Sequence, residues 1–365
     1  MRRAVKALAA LALGSVAALM LGEAFARLFL APGPSIVLRY QPDNANYALT
    51  RDVSGELGYE FVPGSSLYRL SINQHGLRDL ERSAEKPAGL RRILALGDSI
   101  TIGGSWGEYV PLLQTWPLVL ERITDDPAGQ RIEVWNAGIV GYNLPQYAAF
   151  LEQRLLRFEP DAIVIGLCLN DMAVRQEIRR EDDGFSVEWT GHYYPVALDL
   201  GPATNRWLLE HSELWRRINV SVAESTDETE AMIDLDFEAA EQALERIRAA
   251  AAGRGVPVLG LLFPGLDHAG VSTEASSTDH ARLAGILRRS GFPVVDLSAA
   301  FGQYSGPRLR NHPDDAVHPN ALGHCLAARE AHRALRRFRL RWYPDRDLPG
   351  NFCAPAELTA RESSD

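Results

Sequence analysis

The sequence predicts an α/β protein in which helices cover both faces of a five-stranded parallel sheet, giving a doubly wound, three-layer sandwich. The main observation is that short apolar runs alternate with helical patterns from residue 91 onward, as in βα units. A second observation is that reactive polar residues directly follow several of these runs, where a parallel sheet meets its ligands. The proportion of hydrophobic residues, 46%, is also typical of a folded globular chain.

The predicted strands and helices alternate between residues 91 and 338. Strands are expected at Ile93–Leu96, Ile132–Trp135, Ala162–Leu169, Val256–Phe263 and Pro293–Leu297. Helices are expected near Trp116–Thr124, Leu144–Arg157, Phe237–Ala252, Thr278–Ser290 and Ala321–Phe338. Thr115, followed by Trp116 and Pro117, is typical of an N-cap with proline in the first turn.

Residues 1–30 are expected to form a signal peptide or a membrane anchor. A basic start precedes an uncharged run from Ala7 to Gly22, which as a helix spans about 24 Å against a bilayer core of about 30 Å. The sequence Ala24-Phe25-Ala26 has the small-x-small pattern of a signal-peptidase site, although apolar residues to position 30 would equally prolong an uncleaved helix. Both interpretations predict a cell-envelope location, either anchored in the inner membrane facing the periplasm or secreted.

Three further regions lie outside the βα pattern. Residues 31–90 contain many proline and turn signals and predict an irregular lead-in with short strands around Tyr59–Val62 and Leu67–Ile72. Residues 172–236 are a long insertion, which is expected to be either part of a ligand site or an added helical subdomain. Residues 341–365 lack periodicity and predict an extended or frayed tail, so that the main domain covers 91–340.

Charge and cysteine usage argue against several classes of function. A net charge of -9, with no long basic block beyond the N-terminus, makes nucleic acid an unexpected partner. Cys168, Cys325 and Cys353 lack zinc-site spacing, and free buried thiols are expected, although Cys325 and Cys353 could pair in an oxidising compartment. His318 and His324 are spaced for different helix faces, so no metal site is expected, and His324 is expected to pack or cap.

A candidate nucleophile follows the first predicted strand. This strand runs directly into Gly97-Asp98-Ser99, and Gly97 permits the tight turn that would expose the serine hydroxyl. Asp315 and His318 follow the fifth strand, and their spacing lets a short turn bring the carboxylate to one imidazole nitrogen. The other nitrogen would then face the nucleophile, as serine catalysis requires.

Two further positions are candidates for stabilising an oxyanion. Gly138 follows the second strand, with Gly141 three residues later, and a glycine there lets its N–H approach a substrate oxygen. Asn170 follows the third strand and could direct its side-chain amide at the same oxygen. Gly103-Gly104-Ser105-Trp106-Gly107 also fits the G-x-S-x-G pattern, but Ser105 does not directly follow a strand and is rejected as nucleophile.

These blocks resemble the SGNH (GDSL) hydrolase superfamily, named for a Ser, a Gly, an Asn and a His. Ser99, Gly138, Asn170 and His318 match them in order, and the resemblance covers roughly residues 91–338. It implies a flavodoxin-like sandwich with Ser99, Asp315 and His318 as catalytic triad. It also implies an oxyanion hole made by the Ser99 N–H, the Gly138 N–H and the Asn170 side chain, with no metal or other cofactor.

The expected function is that of a serine esterase acting through an acyl-enzyme on Ser99. The expected substrate is an ester of a small molecule, an envelope carbohydrate or a lipid. Two alternatives stay open: an O-acyltransferase of cell-envelope polysaccharide that uses the same residues, and a non-catalytic envelope protein that binds glycan through the aromatic insertion.

Overall fold

The computed structural model describes most of the chain. The described residues are 2–30, 39–40, 48–67, 69–105, 108–125, 131–172, 176–181, 184–189, 193–196, 200, 204, 207–208, 211–223, 230–233, 235–266, 274–304, 308–313, 315 and 317–353. Compact packing divides the chain into a smaller unit, residues 1–38 and 191–234, and a larger unit, residues 39–190 and 235–365.

The larger unit is built around a five-stranded parallel sheet. Its strands are β1 (Arg91–Gly97), β2 (Ile132–Gly138), β3 (Ala162–Leu167), β4 (Val258–Leu262) and β5 (Val294–Asp296). They lie in the order β5-β4-β3-β1-β2, and every pair is parallel. The predicted α/β fold is confirmed. Because the strand order reverses on either side of β1, the carboxyl end of β1 is the expected position of a ligand site.

Helices cover both faces of the sheet. They are Ser99–Ile102, Trp116–Thr124, Leu144–Phe150, Phe237–Ala252, Glu274–Arg289, Ser298–Phe301 and Ala321–Arg337. Single 3₁₀ turns occur at Leu112–Gln114, Leu156–Phe158 and Leu169–Met172, and a π turn at Leu151–Leu155. The helix predicted over Leu144–Arg157 therefore changes its hydrogen-bonding pattern after Phe150.

Two hydrophobic cores lie on opposite faces of the sheet. One includes Leu144, Phe237 and Leu283, which come from three different helices. The other includes Trp116 and Leu326 from the helices on the second face. Strands β1, β3 and β4 are buried along nearly their whole length, as expected for a parallel sheet with both faces covered.

The lead-in consists of short antiparallel hairpins. Thr50–Asp52 pairs with Tyr59–Phe61, and Ser66–Leu67 pairs with Leu70–Ser71. The beginning of the insertion adds a separate sheet in which Gly184–Trp189 pairs with Gln176–Glu181 and with Arg39–Tyr40. Residues 97–102, which we call the nucleophile turn, link β1 to the next element. A further two-stranded ribbon, Gly104–Ser105 with Glu108–Tyr109, follows this turn.

The described residues of the smaller unit include two long helices and a ribbon. The N-terminal helix covers Arg2–Phe29, and the insertion contributes the helix Glu213–Ala223 and the strands Tyr193–Val196 and Glu230–Ile233. The described part of the insertion thus contains strands as well as a helix. None of the helices searched within the described residues combines the length and the hydropathy that a membrane span needs.

Cys325 and Cys353 form a disulfide with a Cα–Cα distance of 5.7 Å. The expectation of free thiols is wrong for these two residues, because the tail folds back onto the helix Ala321–Arg337. In the tail, the hydroxyl oxygen of Tyr343 lies 3.0 Å from Nδ1 of His332, and both side chains are buried. Residues 354–365 of the predicted frayed tail lie outside the described residues. Cys168 is a buried free thiol, as expected.

Removing the disulfide should destabilise the larger unit. The bridge closes a loop with a sequence separation of 28 residues, so Cys353→Ser should lower the free energy of unfolding by about 3 kcal/mol. Urea unfolding of wild type and variant, each with and without reductant, measures this effect. Reductant should weaken wild type and leave Cys353→Ser unchanged. Equal stability of oxidised and reduced wild type would contradict the prediction.

Candidate active site

Ser99, His318 and Asp315 form a continuous chain of hydrogen bonds. Ser99 Oγ lies 2.8 Å from His318 Nε2, and His318 Nδ1 lies 2.6 Å from Asp315 Oδ2. Ser99 and His318 are each 5% exposed, so this hydrogen-bonded pair is largely shielded from solvent. The structure therefore brings Ser99 together with Asp315 and His318, which lie more than 200 residues later in the sequence, as the sequence analysis predicts.

A tight turn presents Asp315 and His318 together. The second oxygen of Asp315, Oδ1, accepts hydrogen bonds from the backbone N–H groups of Val317 and His318 at 2.9 and 3.0 Å. Burial raises the pKa of Asp315, but the hydrogen bonds from His318 and Val317 outweigh it and hold this pKa below its usual value. The carboxylate is therefore ionised at neutral pH, and it orients the imidazole.

This arrangement sets the tautomer of His318. An ionised carboxylate can only accept hydrogen bonds. Nδ1 of His318 therefore carries a hydrogen and donates a hydrogen bond to Asp315. Nε2 then presents its lone pair to the Ser99 hydroxyl, which donates to it. The geometry suits removal of the hydroxyl proton by His318 during nucleophilic attack.

The nucleophile turn is held from below by buried polar groups. Asp98 caps the short helix Ser99–Ile102, since its Oδ1 accepts from Ile100 N at 2.8 Å. Its Oδ2 lies 3.1 Å from Ser99 Oγ. Burial raises the pKa of Asp98 above its usual value. At the other end of the helix, the buried Arg78 donates to the carbonyls of Ile102 and Val110 at 2.5 and 2.7 Å.

Gly138 does not offer an open N–H. Its N–H donates to Asn136 Oδ1 at 3.1 Å, which argues against the predicted role as an oxyanion donor. A Cβ at Gly138 would lie 2.3 Å from Ile102 N and 2.8 Å from Asp98 O. Gly138 is therefore required for the close approach of β2 to the nucleophile turn. Gly141, on the loop that follows, has a φ of +69° and is half-buried.

Asn170 lies at the end of β3 with its carbonyl oxygen already engaged. Cys168 Sγ donates to Asn170 Oδ1, and no described residue accepts a hydrogen bond from Asn170 Nδ2. The amide is half-buried in the turn Leu169–Met172. Its NH₂ group is thus left available as a donor, which is the orientation that an oxyanion site needs.

A comparison with known protein families identifies the family of this chain. A model of the GDSL-like lipase/acylhydrolase family matches residues 95–326, a span that includes Ser99, Asn170, Asp315 and His318. The chain belongs to the GDSL-like lipase/acylhydrolase family. It is accordingly an enzyme of the class that acts on ester bonds. No curated protein sequence matches it significantly.

Solved structures of similar proteins extend over most of this GDSL-family chain. A lipase/acylhydrolase from Enterococcus faecalis is 17% identical, with 70% of this chain and 100% of that chain covered and a TM-score of 0.41. An acetylxylan esterase from Geobacillus stearothermophilus is 16% identical, with 70% and 97% covered and a TM-score of 0.42.

A buried cluster behind the nucleophile contains Asp98, Cys168 and Asp171, whose potential ligand atoms lie within 4.8 Å of one another. Internal donors already serve it: Tyr147 Oη and Cys168 N donate to Asp171 at 2.6 and 2.7 Å. Burial raises the pKa of Asp171, and the neighbouring Asp98 raises it further. Hydrogen bonding accounts for these groups, so the cluster connects the ends of β1 and β3 in this GDSL-family enzyme.

Sequence reasoning missed Arg78, which supports the site, and left the role of His324 open between packing and capping. Arg78 falls in the lead-in, where no chemistry was expected, and a lone arginine between turn residues gives no pattern to find it by. His324 acts as a cap: its Nδ1 accepts from Trp116 N at 3.1 Å, and burial lowers its pKa to about 3. Thr115, the predicted cap of that helix, instead donates its hydroxyl to Leu112 O.

The rejected serine lies in the ribbon beside the nucleophile turn. The backbone of Ser105 pairs with Glu108, and the adjoining Trp106 and Gly107 lie outside the described residues. Ser105 belongs to a strand of the ribbon and not to a turn after a sheet strand. This placement departs from the strand-to-helix elbow that the G-x-S-x-G pattern requires.

Adding a methyl group at Gly138 should disturb the nucleophile turn. Gly138→Ala forces a Cβ against two backbone atoms, so it should lower the free energy of unfolding by about 1–3 kcal/mol and reduce ester hydrolysis. Gly265→Ala is the matched control, because no heavy atom lies within 4 Å of its added Cβ. Thermal unfolding and esterase assays of both variants test this, and equal behaviour would contradict the packing argument.

Proposed function

We propose that this enzyme is an extracytoplasmic serine esterase that hydrolyses carboxylic esters through an acyl-enzyme on Ser99. The observation that carries the proposal is the hydrogen-bond chain from Asp315 through His318 to Ser99. A serine hydroxyl is a weak nucleophile at neutral pH, and an imidazole at 2.8 Å is positioned to remove its proton.

The reaction proceeds in two acyl transfers. Ser99 Oγ bonds to the ester carbonyl carbon while its proton passes to His318 Nε2. The tetrahedral intermediate then releases the alcohol, which takes the proton back from His318. His318 then removes a proton from water, which attacks the acyl-enzyme. This step releases the carboxylic acid and regenerates free Ser99. Asp315 stabilises the imidazolium in both halves and stays ionised.

The oxyanion is stabilised by donors at the ends of β1, β2 and β3. We assign the Ser99 N–H, the first of its helix, and the Asn170 NH₂ group to this role. The Gly141 N–H replaces the Gly138 N–H as third donor, because the latter is committed to Asn136. Each such donor typically contributes about 2.7–4 kcal/mol to transition-state stabilisation.

The proposed substrate is an ester on an envelope carbohydrate or lipid. Support for an extracytoplasmic location comes from the disulfide, since such bonds persist in oxidising compartments. The N-terminal sequence also supports this location, because basic residues are followed by an apolar run. On the N-terminal helix, Leu19, Met20 and Leu21 are each more than 60% exposed, which suits contact with lipid.

The first test is hydrolysis of p-nitrophenyl acetate and butyrate by the full chain, Ser99→Ala and Ser105→Ala. We expect wild type and Ser105→Ala to turn over, and Ser99→Ala to lose activity by a factor of about 10⁶. If Ser105→Ala is folded but inactive, the assignment of Ser99 as the nucleophile is wrong. An inert, folded wild type would favour acyl transfer to a glycan acceptor, which a donor–acceptor assay then tests.

Truncation of Asn170 should affect the transition state alone. Asn170→Ala should lower kcat by about 10²–10³ with little change in KM, because the amide meets the oxyanion only as it forms. Steady-state kinetics on p-nitrophenyl acetate measures both constants. An unchanged kcat would remove Asn170 from the oxyanion site.

A further inference from the structure

The N-terminal helix and the insertion helix Glu213–Ala223 meet through one carboxylate. Glu23 accepts hydrogen bonds from Glu213 N at 2.9 Å, Leu214 N at 3.1 Å and Ser212 Oγ at 2.8 Å. These two N–H groups lie in the first turn of the insertion helix, where acceptors are supplied from outside the helix. A carboxylate at this position is also favoured by the helix dipole. Glu23 therefore caps a helix that begins 190 residues later.

Arg27 closes the same contact. Its Nε donates to Glu23 Oε1 at 2.6 Å, and its Nη2 donates to His211 O at 2.5 Å. Ser212 completes a local cap by accepting from Trp215 N at 3.0 Å. The insertion helix thus receives its first-turn partners from two sources, its own Ser212 and the segment 23–27 of the N-terminal helix.

The candidate signal-peptidase motif lies inside this contact. Ala24, Phe25 and Ala26 are all helical, and Ala26 is 1% exposed. Cleavage after Ala26 would separate Glu23 from the helix that it caps and would remove the carboxylate that accepts from the Glu213 and Leu214 N–H groups. Gly22 also packs closely against the insertion helix, since a Cβ there would lie 3.0 Å from Leu214 Cδ2.

We propose that residues 22–27 remain in the working protein as the N-terminal cap of the insertion helix, so that the N-terminal helix is retained and not cleaved as a leader. The partner of the surface formed by Gly22, Glu23 and Arg27 is the start of the helix Glu213–Ala223. The part of the insertion between residues 191 and 234 then binds the N-terminal helix, and the fold of this part of the insertion depends on that helix.

Two measurements on the full chain test this proposal without using ester hydrolysis, so they are independent of the proposed activity. The first is the intact mass of the chain, carrying a C-terminal tag and purified in mild detergent from an exporting bacterium. We expect a mass that includes residues 22–27. A mature chain beginning at Arg27 would overturn the proposal.

The second measurement is limited trypsin cleavage at Arg217, within the insertion helix. Glu23→Ala removes the cap and should raise the cleavage rate about fivefold, the usual effect of losing an N-cap. Leu21→Ala is the control, because this side chain is 71% exposed on the same helix. A Leu21→Ala rate equal to wild type supports the assignment when Glu23→Ala is fast. A Glu23→Ala rate equal to wild type would overturn it.

Discussion

The active-site geometry depends on three glycines that pack against the helix Ser99–Ile102, where any side chain would clash. A Cβ at Gly97 would lie 2.0 Å from Thr101 Oγ1, and one at Gly166 would lie 2.5 Å from the same atom. Together with Gly138, these glycines let the ends of β1, β2 and β3 close directly on the nucleophile turn. Only this close approach puts the Ser99 hydroxyl at the switch point of the sheet, within reach of His318.

Buried charges connect the lead-in to the same framework. Arg92 in β1 is fully buried, donates to the carbonyls of Phe158 and Ser83 at 2.6 and 3.0 Å, and stacks on Trp135. Arg82 in the lead-in pairs with Asp79 at 2.7 Å and with Glu121 at 2.8 Å. Removing one member of such a group strands another charge without a partner. The lead-in therefore belongs to the folding unit of the enzyme and is not an appendage to it.

The sequence predicts those parts of the fold that local patterns determine. The helices Trp116–Thr124 and Phe237–Ala252 have their predicted bounds because apolar periodicity determines them, and in the structure Asp236 caps the second. Ser99, Asp315 and His318 were found because strand ends and a three-residue turn fix their positions. The change of hydrogen bonding after Phe150 has no such local signal.

What escaped prediction depends on contacts that no sequence pattern records. The Gly138 N–H is occupied by Asn136, two residues earlier, which a motif written as letters does not record. The pairing of Cys325 with Cys353 depends on the tail folding back, and the cap supplied by Glu23 depends on a helix 190 residues away. Long-range contacts of this kind are fixed by tertiary packing and leave no periodicity in the sequence.

The most direct measurement of the central claim, that His318 activates Ser99 as the nucleophile, is labelling with a fluorophosphonate followed by peptide mass spectrometry. Such reagents form a stable bond only with an activated serine. The account predicts a single phosphonylated residue, Ser99, and loss of labelling in His318→Ala. Labelling of another serine, or labelling of Ser99 that does not depend on His318, would contradict it.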